Sequence, residues 1–210
     1  MREAVIVDSL RTGLGKSFKG ALNATRPDDM LAHVMKASLA KYPQIDLETI
    51  NDVVIGCAFP EGAQGLNIAR ISSMLAGIPA SVPAQTVNRF CSSGSQAIST
   101  AAEQILSGGQ DIVLAGGVET ISMIDDGSRN TNHMINPIVK EQYPSLYWVM
   151  GRTAEVVAER YGISRQVQDE YALLSQLRTA AAQENNIFSD EIIPIKVTKN
   201  VFPKDGEKYR

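Results

Sequence analysis

Short runs of apolar residues alternate with helix-like stretches over the first 117 residues. The apolar runs cover residues 4–7, 53–55 and 112–115, and each is continuous rather than alternating. Continuous runs of this length are typical of strands that are covered on both faces of a sheet. Because strands alternate with helices along this part of the chain, the pattern predicts a layered α/β domain.

The first predicted helix has signals at both ends. Thr25 can cap its start, and Pro27 lies in its first turn. Asp28 and Asp29 suit the positive end of the helix dipole. Pro43 is expected to end the helix, because proline cannot continue the backbone hydrogen bonds.

Two more helices are predicted before residue 117. One runs from about residue 67 to 76 and ends at Gly77, and the other runs from about residue 91 to 106 before Gly108. Glycine directly after an apolar helical stretch is a common helix C-cap. Both helices are therefore expected to pack on the predicted strands.

The pattern changes beyond residue 117. Residues 119–148 have no clear apolar period, and a long irregular segment in a compact protein is usually functional or mobile. Two further helices are predicted, the first ending at Gly162 and the second capped by Ser164. A short strand is expected at residues 192–197.

The length of 210 residues is enough for one large domain or for one domain plus an excursion, and the change of pattern after residue 117 marks where the excursion would begin. The last stretch, residues 204–210, is polar and predicts no helix or strand.

Composition and charge exclude several classes of protein. The net charge is −3, whereas nucleic-acid binders usually present a basic face. No apolar stretch approaches the roughly 18 residues that a membrane span needs. The N-terminus lacks the apolar length and cleavage site of a signal peptide, so a cytoplasmic location is expected.

The two cysteines, Cys57 and Cys91, do not suggest a metal site or a disulfide framework. They lack metal-ligand spacing, and the two histidines, His33 and His133, are far from both in sequence. Reduced intracellular thiols are the better interpretation. Cys57 ends a predicted strand and is interpreted as a core residue.

Cys91 occupies a position that favours chemistry. A predicted strand ends before it, and small residues after it open a helix. A helix N-terminus lowers a thiol pKa from about 8.5 toward roughly 3.5–7.5, and the thiolate is the reactive form. Free N–H groups there can also form an oxyanion hole, and Arg89 adds positive charge nearby. On placement alone, a buried structural cysteine explains the pattern equally well.

Residues 88–94, Asn-Arg-Phe-Cys-Ser-Ser-Gly, resemble the active-site block of the thiolase family. Residues 4–12 resemble the family's opening strand and turn, and residues 115–122 resemble the strand end that leads into its loop domain. Residues 150–155 resemble the block that opens the helices of that domain. The resemblance is collinear and spans essentially the whole chain.

This resemblance implies a thiolase-like α/β fold. Residues 1–117 would form the N-terminal core domain, a mixed five-stranded sheet covered by helices, and would carry the nucleophile. Residues 118–210 would form part of the inserted loop domain that binds coenzyme A. The C-terminal half of a thiolase would be absent.

The resemblance also implies the activity and its site. Thiolases cleave 3-ketoacyl-CoA with coenzyme A to acetyl-CoA and a shortened acyl-CoA through an acyl group on a cysteine, here Cys91. Met150 is expected to contact the substrate, because its block lies beside the bound thioester in the family. Coenzyme A is then a substrate, no further cofactor or metal is expected, and the protein is expected to form a homodimer or homotetramer.

The local sequence favours the degradative 3-ketoacyl-CoA thiolases of fatty acid β-oxidation. Arg-Phe-Cys-Ser-Ser at residues 89–93 is similar to that group, whereas acetoacetyl-CoA thiolases more often carry Cys-Gly-Ser. Val149 stands where the acetoacetyl type often has histidine. A biosynthetic acetoacetyl-CoA thiolase remains the alternative within the family.

Three catalytic elements of the family belong to its second half. They are an asparagine that orients a water, a histidine in a Gly-His-Pro block and a second cysteine in a Cys-x-Gly-Gly-Gly block. None of these motifs occurs in the 210 residues. We therefore expect the chain alone to be inactive in a coupled thiolysis assay, since general acid–base groups contribute about 10²–10⁴-fold each.

Three other functions compete with the thiolase interpretation. A ketoacyl synthase-like condensing enzyme needs a different cysteine context. A non-catalytic dimerisation or lipid-binding module built from a thiolase half is the rival of another class. A cysteine-based redox sensor is disfavoured, because no second cysteine lies near Cys91 in sequence.

Other features are given structural interpretations. Asn88 is expected to fix the turn before Cys91, and Met123 and Met134 are expected to pack in the loop region. Gly-Leu-Gly-Lys at residues 13–16 lacks the full phosphate-loop spacing and predicts a turn.

Overall fold

A computed structural model describes residues 2–125, 127, 129–199 and 201. The chain divides into two compact units, one of Met1–Arg129 with Asp190–Arg210 and one of residues 130–189. The first unit thus extends past the predicted boundary after residue 117. Of the described residues, 190–199 and 201 also belong to this unit, although they were predicted to lie in the second domain. The predicted polar stretch 204–210 lies outside the described residues.

The first unit is built on a parallel three-stranded sheet. Its strands are β1 (Asp52–Gly56), β2 (Ala84–Val87) and β3 (Val113–Gly117), in the spatial order β2-β1-β3. Every residue of the central strand β1 is buried, as its continuous apolar pattern predicts. Because all three strands are parallel, their carboxyl ends meet at one edge of the sheet.

Three helices cover this sheet. Helices α1 (Pro27–Ala40) and α2 (Ile68–Ala76) pack against each other and form the main apolar core with β1. Helix α3 (Ser93–Leu106) packs on β1 and β3 through small residues, with Ala97 and Ala101 buried. The layered α/β class predicted from the sequence is therefore confirmed.

The predicted ends of the second and third helices are confirmed, but the predicted cap of the first is wrong. The Asn67 side chain caps α2, and Gly77 ends it in the left-handed conformation at φ 84°. In α1 the capping position belongs to Arg26, whose guanidinium pairs with Asp28 at 2.9 Å. Thr25 lies one residue too early, and its hydroxyl oxygen is buried without a hydrogen-bond partner.

The expected five-stranded mixed sheet is not formed by the described residues, which make only the three parallel strands. The apolar run at residues 4–7 was expected to be a strand, but it pairs with no strand in the described chain. Val5, Ile6 and Val7 are 71, 79 and 67 % exposed. An apolar run becomes a strand only where a neighbour supplies the hydrogen-bond ladder, and none is present beside this one.

The predicted strand at residues 192–197 is reduced to one bridge. Ile192 pairs with Arg11, the Ile193 N–H donates to the Arg11 carbonyl at 2.9 Å, and no other residue of this stretch is in a strand. A side-chain ion pair between Arg11 and Glu191 at 2.7 Å supports the same contact. The first unit also contains the short helix α4 (Ile121–Ile124).

The second unit is helical. It contains α5 (Pro137–Gln142), α6 (Met150–Arg160) and α7 (Arg165–Glu184), and no described residue of these helices is buried. Gly162, at φ 63°, follows α6, and the Ser164 hydroxyl accepts from the Val167 N–H at the start of α7. Both predicted signals are confirmed. Across the described residues, every helix is too short or too polar to span a bilayer.

Candidate active site

Cys91 lies between the carboxyl end of β2 and the first turn of α3. Strand β2 ends at Val87, and α3 begins at Ser93. Cys91 is a free, exposed thiol, so the structural interpretation of a cysteine sealed in the core does not fit its position. The strand–cysteine–helix order predicted from the sequence is the order in the structure.

A tight turn before Cys91 is held by Asn88. Its Oδ1 accepts from the Phe90 N–H at 2.8 Å, and its Nδ2 donates to the Ala58 carbonyl at 3.0 Å. Phe90 adopts φ 47°, the left-handed region that bulky residues rarely enter. The Phe90 ring packs edge-on against Phe59, with ring centroids 6.4 Å apart. A conformation of this cost persists only where its surroundings hold it in place.

Ser93 fixes the same turn from the helix side, and sequence reasoning missed it. Its buried Oγ accepts from the Arg89 N–H at 2.8 Å and donates to the Phe90 carbonyl at 2.6 Å. A serine at the start of a helix often bonds nearby backbone groups, which was the one available signal. Ser93 therefore ties the helix start back to Arg89 and Phe90, and Cys91 lies in the loop between these bonded residues.

The start of α3 rests directly on the sheet at two glycines. A Cβ at Gly56 would lie 2.2 Å from the Ser93 carbonyl carbon and 2.5 Å from the Gly94 nitrogen. A Cβ at Gly117 would lie 3.4 Å from the Gly94 Cα. The backbones of α3 and the sheet are therefore in direct contact at these two glycines, and this contact fixes how far the start of α3, with Cys91 before it, lies from the sheet.

The positive end of α3 is partly occupied by its own loop, since the Ser92 N–H donates to the Arg89 carbonyl at 3.1 Å and the Ser93 N–H to the Phe90 carbonyl at 2.9 Å. Ser92 occupies the capping position, but no side chain caps the helix. The first N–H groups of a helix have no acceptors within it and carry a partial positive charge. Such an end can stabilise a thiolate and accept the developing oxyanion of an attacked carbonyl.

Cys57 has the opposite environment. It is 1 % exposed and follows the buried strand β1, which agrees with its interpretation as a core residue. Burial raises the pKa of its thiol from an ordinary 9.0 to about 12, and the nearby Glu119 carboxylate adds to the rise. At neutral pH this thiol is almost entirely protonated and has little nucleophilic character.

The other predicted residues lie apart from this loop or in the second unit. Met150 is the exposed first residue of α6 and belongs to the second unit, whereas Cys91 belongs to the first unit. The contact between Met150 and the substrate therefore stays a prediction. His33 on α1 lies 3.0 Å from the Pro194 carbonyl oxygen through Nε2, and His133 is exposed. Within the described ranges, no three His, Cys, Asp or Glu residues are grouped as a metal site.

Comparison with known proteins gives a family and several relatives. The model of the thiolase N-terminal domain matches residues 4–208. A 3-ketoacyl-CoA thiolase of Bacillus subtilis is 44% identical over 98% of the chain and 52% of its own length. A 3-oxoadipyl-CoA/3-oxo-5,6-dehydrosuberyl-CoA thiolase of Escherichia coli is 40% identical over 95% of the chain and 53% of its own length. A 3-ketoacyl-CoA thiolase of an Enterobacter species is 39% identical over 92% of the chain.

The chain therefore spans about half the length of the curated relatives it matches. The family match covers both compact units, including the loop with Cys91 and the helices of the second unit. This chain belongs to the thiolase family and carries that family's N-terminal domain.

Proposed function

We propose that this chain supplies the acyl-carrying nucleophile of a thiolase that cleaves 3-ketoacyl-CoA. The observation that carries the proposal is the exposed Cys91 thiol at the uncapped start of α3, within a family match over residues 4–208. In this role the chain contributes the nucleophile and its helix, and the second half of a thiolase contributes the general base and the proton donor.

The proposed reaction has two covalent steps. The Cys91 thiolate attacks the 3-keto carbon of the substrate, and the bond between C2 and C3 breaks. The departing acetyl-CoA carbanion takes a proton from the second-half cysteine, and the acyl group stays on Cys91 as a thioester. The thiol of a second coenzyme A then attacks this thioester, releases the shortened acyl-CoA and restores Cys91.

The acyl group is proposed only at the level that the relatives share. The Bacillus subtilis relative is named for 3-ketoacyl-CoA, and the Escherichia coli relative is named for 3-oxoadipyl-CoA and 3-oxo-5,6-dehydrosuberyl-CoA. Both names describe a CoA thioester with a ketone at C3. The degradative direction, as in fatty acid β-oxidation, rests on the Arg-Phe-Cys-Ser-Ser sequence at residues 89–93.

The remaining parts of the proposal concern the surroundings of Cys91. Met150 would contact the thioester, and coenzyme A would act as a substrate rather than as a bound cofactor. The protein would work as a homodimer or homotetramer in the cytoplasm. The exposed apolar side chains of α6 and α7 support an assembled state.

Thiol reactivity tests the nucleophile. We expect iodoacetamide at pH 7.5 to alkylate Cys91 at least about tenfold faster than Cys57, because the Cys57 thiol is buried and its pKa is raised to about 12. Peptide mass spectrometry would follow both sites in one sample, with Cys91→Ala as the control. Equal, slow labelling of the two cysteines in folded protein would favour the non-catalytic module instead.

Acyl transfer tests the chemistry more directly. Acetyl-CoA should acetylate Cys91 and release free coenzyme A, since the thiolate replaces one thioester with another. An acetyl adduct on Cys91 that free coenzyme A removes supports the proposal. Because the general base belongs to the second half, the decisive sample is this chain combined with a thiolase second half. A folded complex with an alkylatable Cys91 but no adduct at millimolar acetyl-CoA would contradict an acyl-carrying role.

A further inference from the structure

Polar groups tie the three strand ends together beneath the loop that carries Cys91. Since the strands are ordered β2-β1-β3, the residues just beyond their carboxyl ends lie side by side. Asn88 follows β2, Ala58 follows β1 and Glu119 follows β3. Ala58 is therefore the middle member of this row.

The backbone N–H and carbonyl of Ala58 are both hydrogen-bonded to side chains of the other two residues in this row. The Ala58 N–H donates to Glu119 Oε2 at 2.8 Å, and the Ala58 carbonyl accepts from Asn88 Nδ2 at 3.0 Å. A hydrogen bond to a carboxylate is shorter and stronger than one between neutral groups. Glu119 and Asn88 thus hold the same residue from opposite sides.

Gln64 orients the Glu119 carboxylate. Its carboxamide is fully buried, and its Nε2 donates to Glu119 Oε1 at 2.5 Å and to the Phe59 carbonyl at 2.8 Å. Its Oε1 accepts from the Thr120 N–H at 2.5 Å. A buried amide is costly unless it is hydrogen-bonded, so this fully bonded Gln64 fixes where Glu119 points.

The row ends at the nucleophile loop. Asn88, which is held by Ala58, accepts from the Phe90 N–H at 2.8 Å through its Oδ1. Phe90 is the left-handed residue directly before Cys91. The hydrogen bonds therefore lead without a break from the buried Gln64 to the backbone that sets the direction of Cys91.

We propose that Glu119 and Asn88 are positioning residues that hold the Cys91 loop in its reactive conformation through Ala58. The inference deepens the proposed function and rests on it. Neither side chain has to touch the substrate, because each acts on the backbone that places the thiol at the start of α3. When either is removed, the turn at Phe90 keeps the two Ser93 hydrogen bonds but loses its tie to the strand ends, and Cys91 is held less firmly before the start of α3.

The first test replaces the carboxylate with its neutral isostere. In Glu119→Gln, one carboxylate oxygen becomes an NH₂ group, which must face a donor from Ala58 or from Gln64. We expect the Cys91 alkylation rate to fall about tenfold and amide exchange at Phe90 to rise about tenfold. Glu103→Gln, on the exposed face of α3, is the matched control and should change neither.

The second test separates the two atoms of Asn88. Asn88→Ala removes both bonds, whereas Asn88→Asp keeps an acceptor for the Phe90 N–H and loses the donor to Ala58. We expect Asn88→Asp to react about as slowly as Asn88→Ala, because both lack the donor that ties residue 88 to the Ala58 carbonyl. Full recovery of the rate in Asn88→Asp would show that the bond to Ala58 is not needed and would overturn the proposal. Asn136→Ala, at the exposed start of α5, is the control.

Amide exchange at Val53 distinguishes positioning from general stability. The Val53 N–H is bonded to the Pro83 carbonyl at 3.1 Å in the central strand and reports on opening of the sheet. Faster exchange at Phe90 with unchanged exchange at Val53 supports positioning. Faster exchange at both, or an unchanged Cys91 rate in Glu119→Gln and Asn88→Ala, overturns it. If neither variant changes the Cys91 alkylation rate, the wild-type rates decide what fails. A wild-type Cys91 that is alkylated much faster than Cys57 leaves the proposed function standing, whereas a wild-type Cys91 that is alkylated as slowly as Cys57 refutes the proposed function itself.

Discussion

Gly56 lies where the sheet and the nucleophile helix touch, and there is no room there for a side chain. A methyl group at this position would lie 2.2 Å from the Ser93 carbonyl carbon, which is backbone and cannot rotate away. We expect Gly56→Ala to lower the free energy of unfolding by roughly 2 kcal/mol or more, as overpacking does. It should also slow Cys91 alkylation, because the start of α3 must move off β1.

Urea unfolding and peptide mass spectrometry would measure these two effects. Gly151→Ala is the matched control, since nothing lies within 4 Å of its added Cβ and it stands inside α6. That change should be neutral or slightly stabilising, because alanine favours a helix over glycine. A Gly56→Ala protein as stable and as reactive as wild type would mean that the helix start is free to shift.

Cys57 gives the fold a specific weakness at alkaline pH. Burial and Glu119 raise the pKa of this thiol from 9.0 to about 12, so the folded chain keeps the proton after the unfolded chain has released it. Stability must then fall as pH rises above about 9. At pH 11 the loss from this group is roughly 2–3 kcal/mol.

Comparing wild type with Cys57→Ala between pH 8 and pH 11 isolates this effect. Lysines and tyrosines titrate in both proteins, so the difference between their unfolding curves belongs to Cys57. The variant should be less stable than wild type at pH 8, because the substitution leaves a small cavity. The difference between the two free energies of unfolding should become smaller as pH rises, because only the wild type loses the contribution of Cys57. If this difference in free energy stays constant from pH 8 to pH 11, folding does not raise the pKa of the Cys57 thiol.

The place of Cys91 and the role of Asn88 in the turn before it were predictable from the sequence, but the other contacts that hold the turn were not. A strand followed by a cysteine and small residues already specifies a helix start. The turn itself depends on Phe90 in a left-handed conformation, which an aromatic residue rarely adopts and which no local preference would suggest. The two Ser93 hydrogen bonds follow from that turn, and so they were missed as well.

Among the elements, the N-terminal segment is held by side chains rather than by a strand ladder. Asp8 accepts from Ser38 Oγ and from Lys41 Nζ, both at 2.7 Å, near the end of α1. Burial alone would raise the pKa of Asp8, but the hydrogen bonds from Lys41 and Ser38 outweigh it, and the pKa is lowered. This carboxylate therefore stabilises the fold above about pH 4, and its contribution is lost as pH falls below that.

We expect Asp8→Asn to lower stability at pH 6 and to have little effect at pH 3. The loss should be below about 1 kcal/mol, because Lys41 is half exposed and solvent screens the pair. Urea unfolding at the two pH values measures it, with Asp169→Asn on the exposed face of α7 as control. An equal loss at both pH values would point to the shape of the side chain rather than to its charge.

Helix ends were predicted well, apart from the Thr25 cap that lies one residue too early, because they depend on residues close in sequence, whereas strands were predicted poorly because their partners are distant. Asn67 and Ser164 cap the helices that follow them, since each bond spans only a few residues. Residues 4–7 have the composition of a strand, but a ladder needs a second segment beside them. No neighbouring strand for them exists in the described chain, and their apolar side chains remain exposed.

At the scale of the whole molecule, apolar surface remains uncovered in both units. Val5, Ile6 and Val7 are exposed in the first unit, and Leu173 and Leu177 are exposed on α7 in the second. The chain spans about half the length of its curated relatives, and large exposed apolar patches mark surfaces that normally bind protein.

We therefore expect the purified chain to self-associate. Light scattering should give a dimer or larger species at micromolar concentration. A double change of Leu173 and Leu177 to glutamate should shift it toward smaller species, because both side chains are exposed on α7. Changing the exposed residues Gln176 and Gln183 of α7 to glutamate adds the same two negative charges without removing apolar surface and is the control for charge. A monodisperse monomer for wild type would contradict the expectation.

The glycine contact under α3 has a consequence for protein engineering. Position 94 is also a glycine, but its own Cβ direction is open, with nothing within 4 Å, whereas position 56 is blocked by backbone. A randomised library selected for thiol reactivity should return alanine or serine readily at 94 and hardly anything but glycine at 56. Substitutions intended to change the reactivity of Cys91 should therefore be tolerated at position 94 of the helix start and almost never at position 56 of the sheet beneath it.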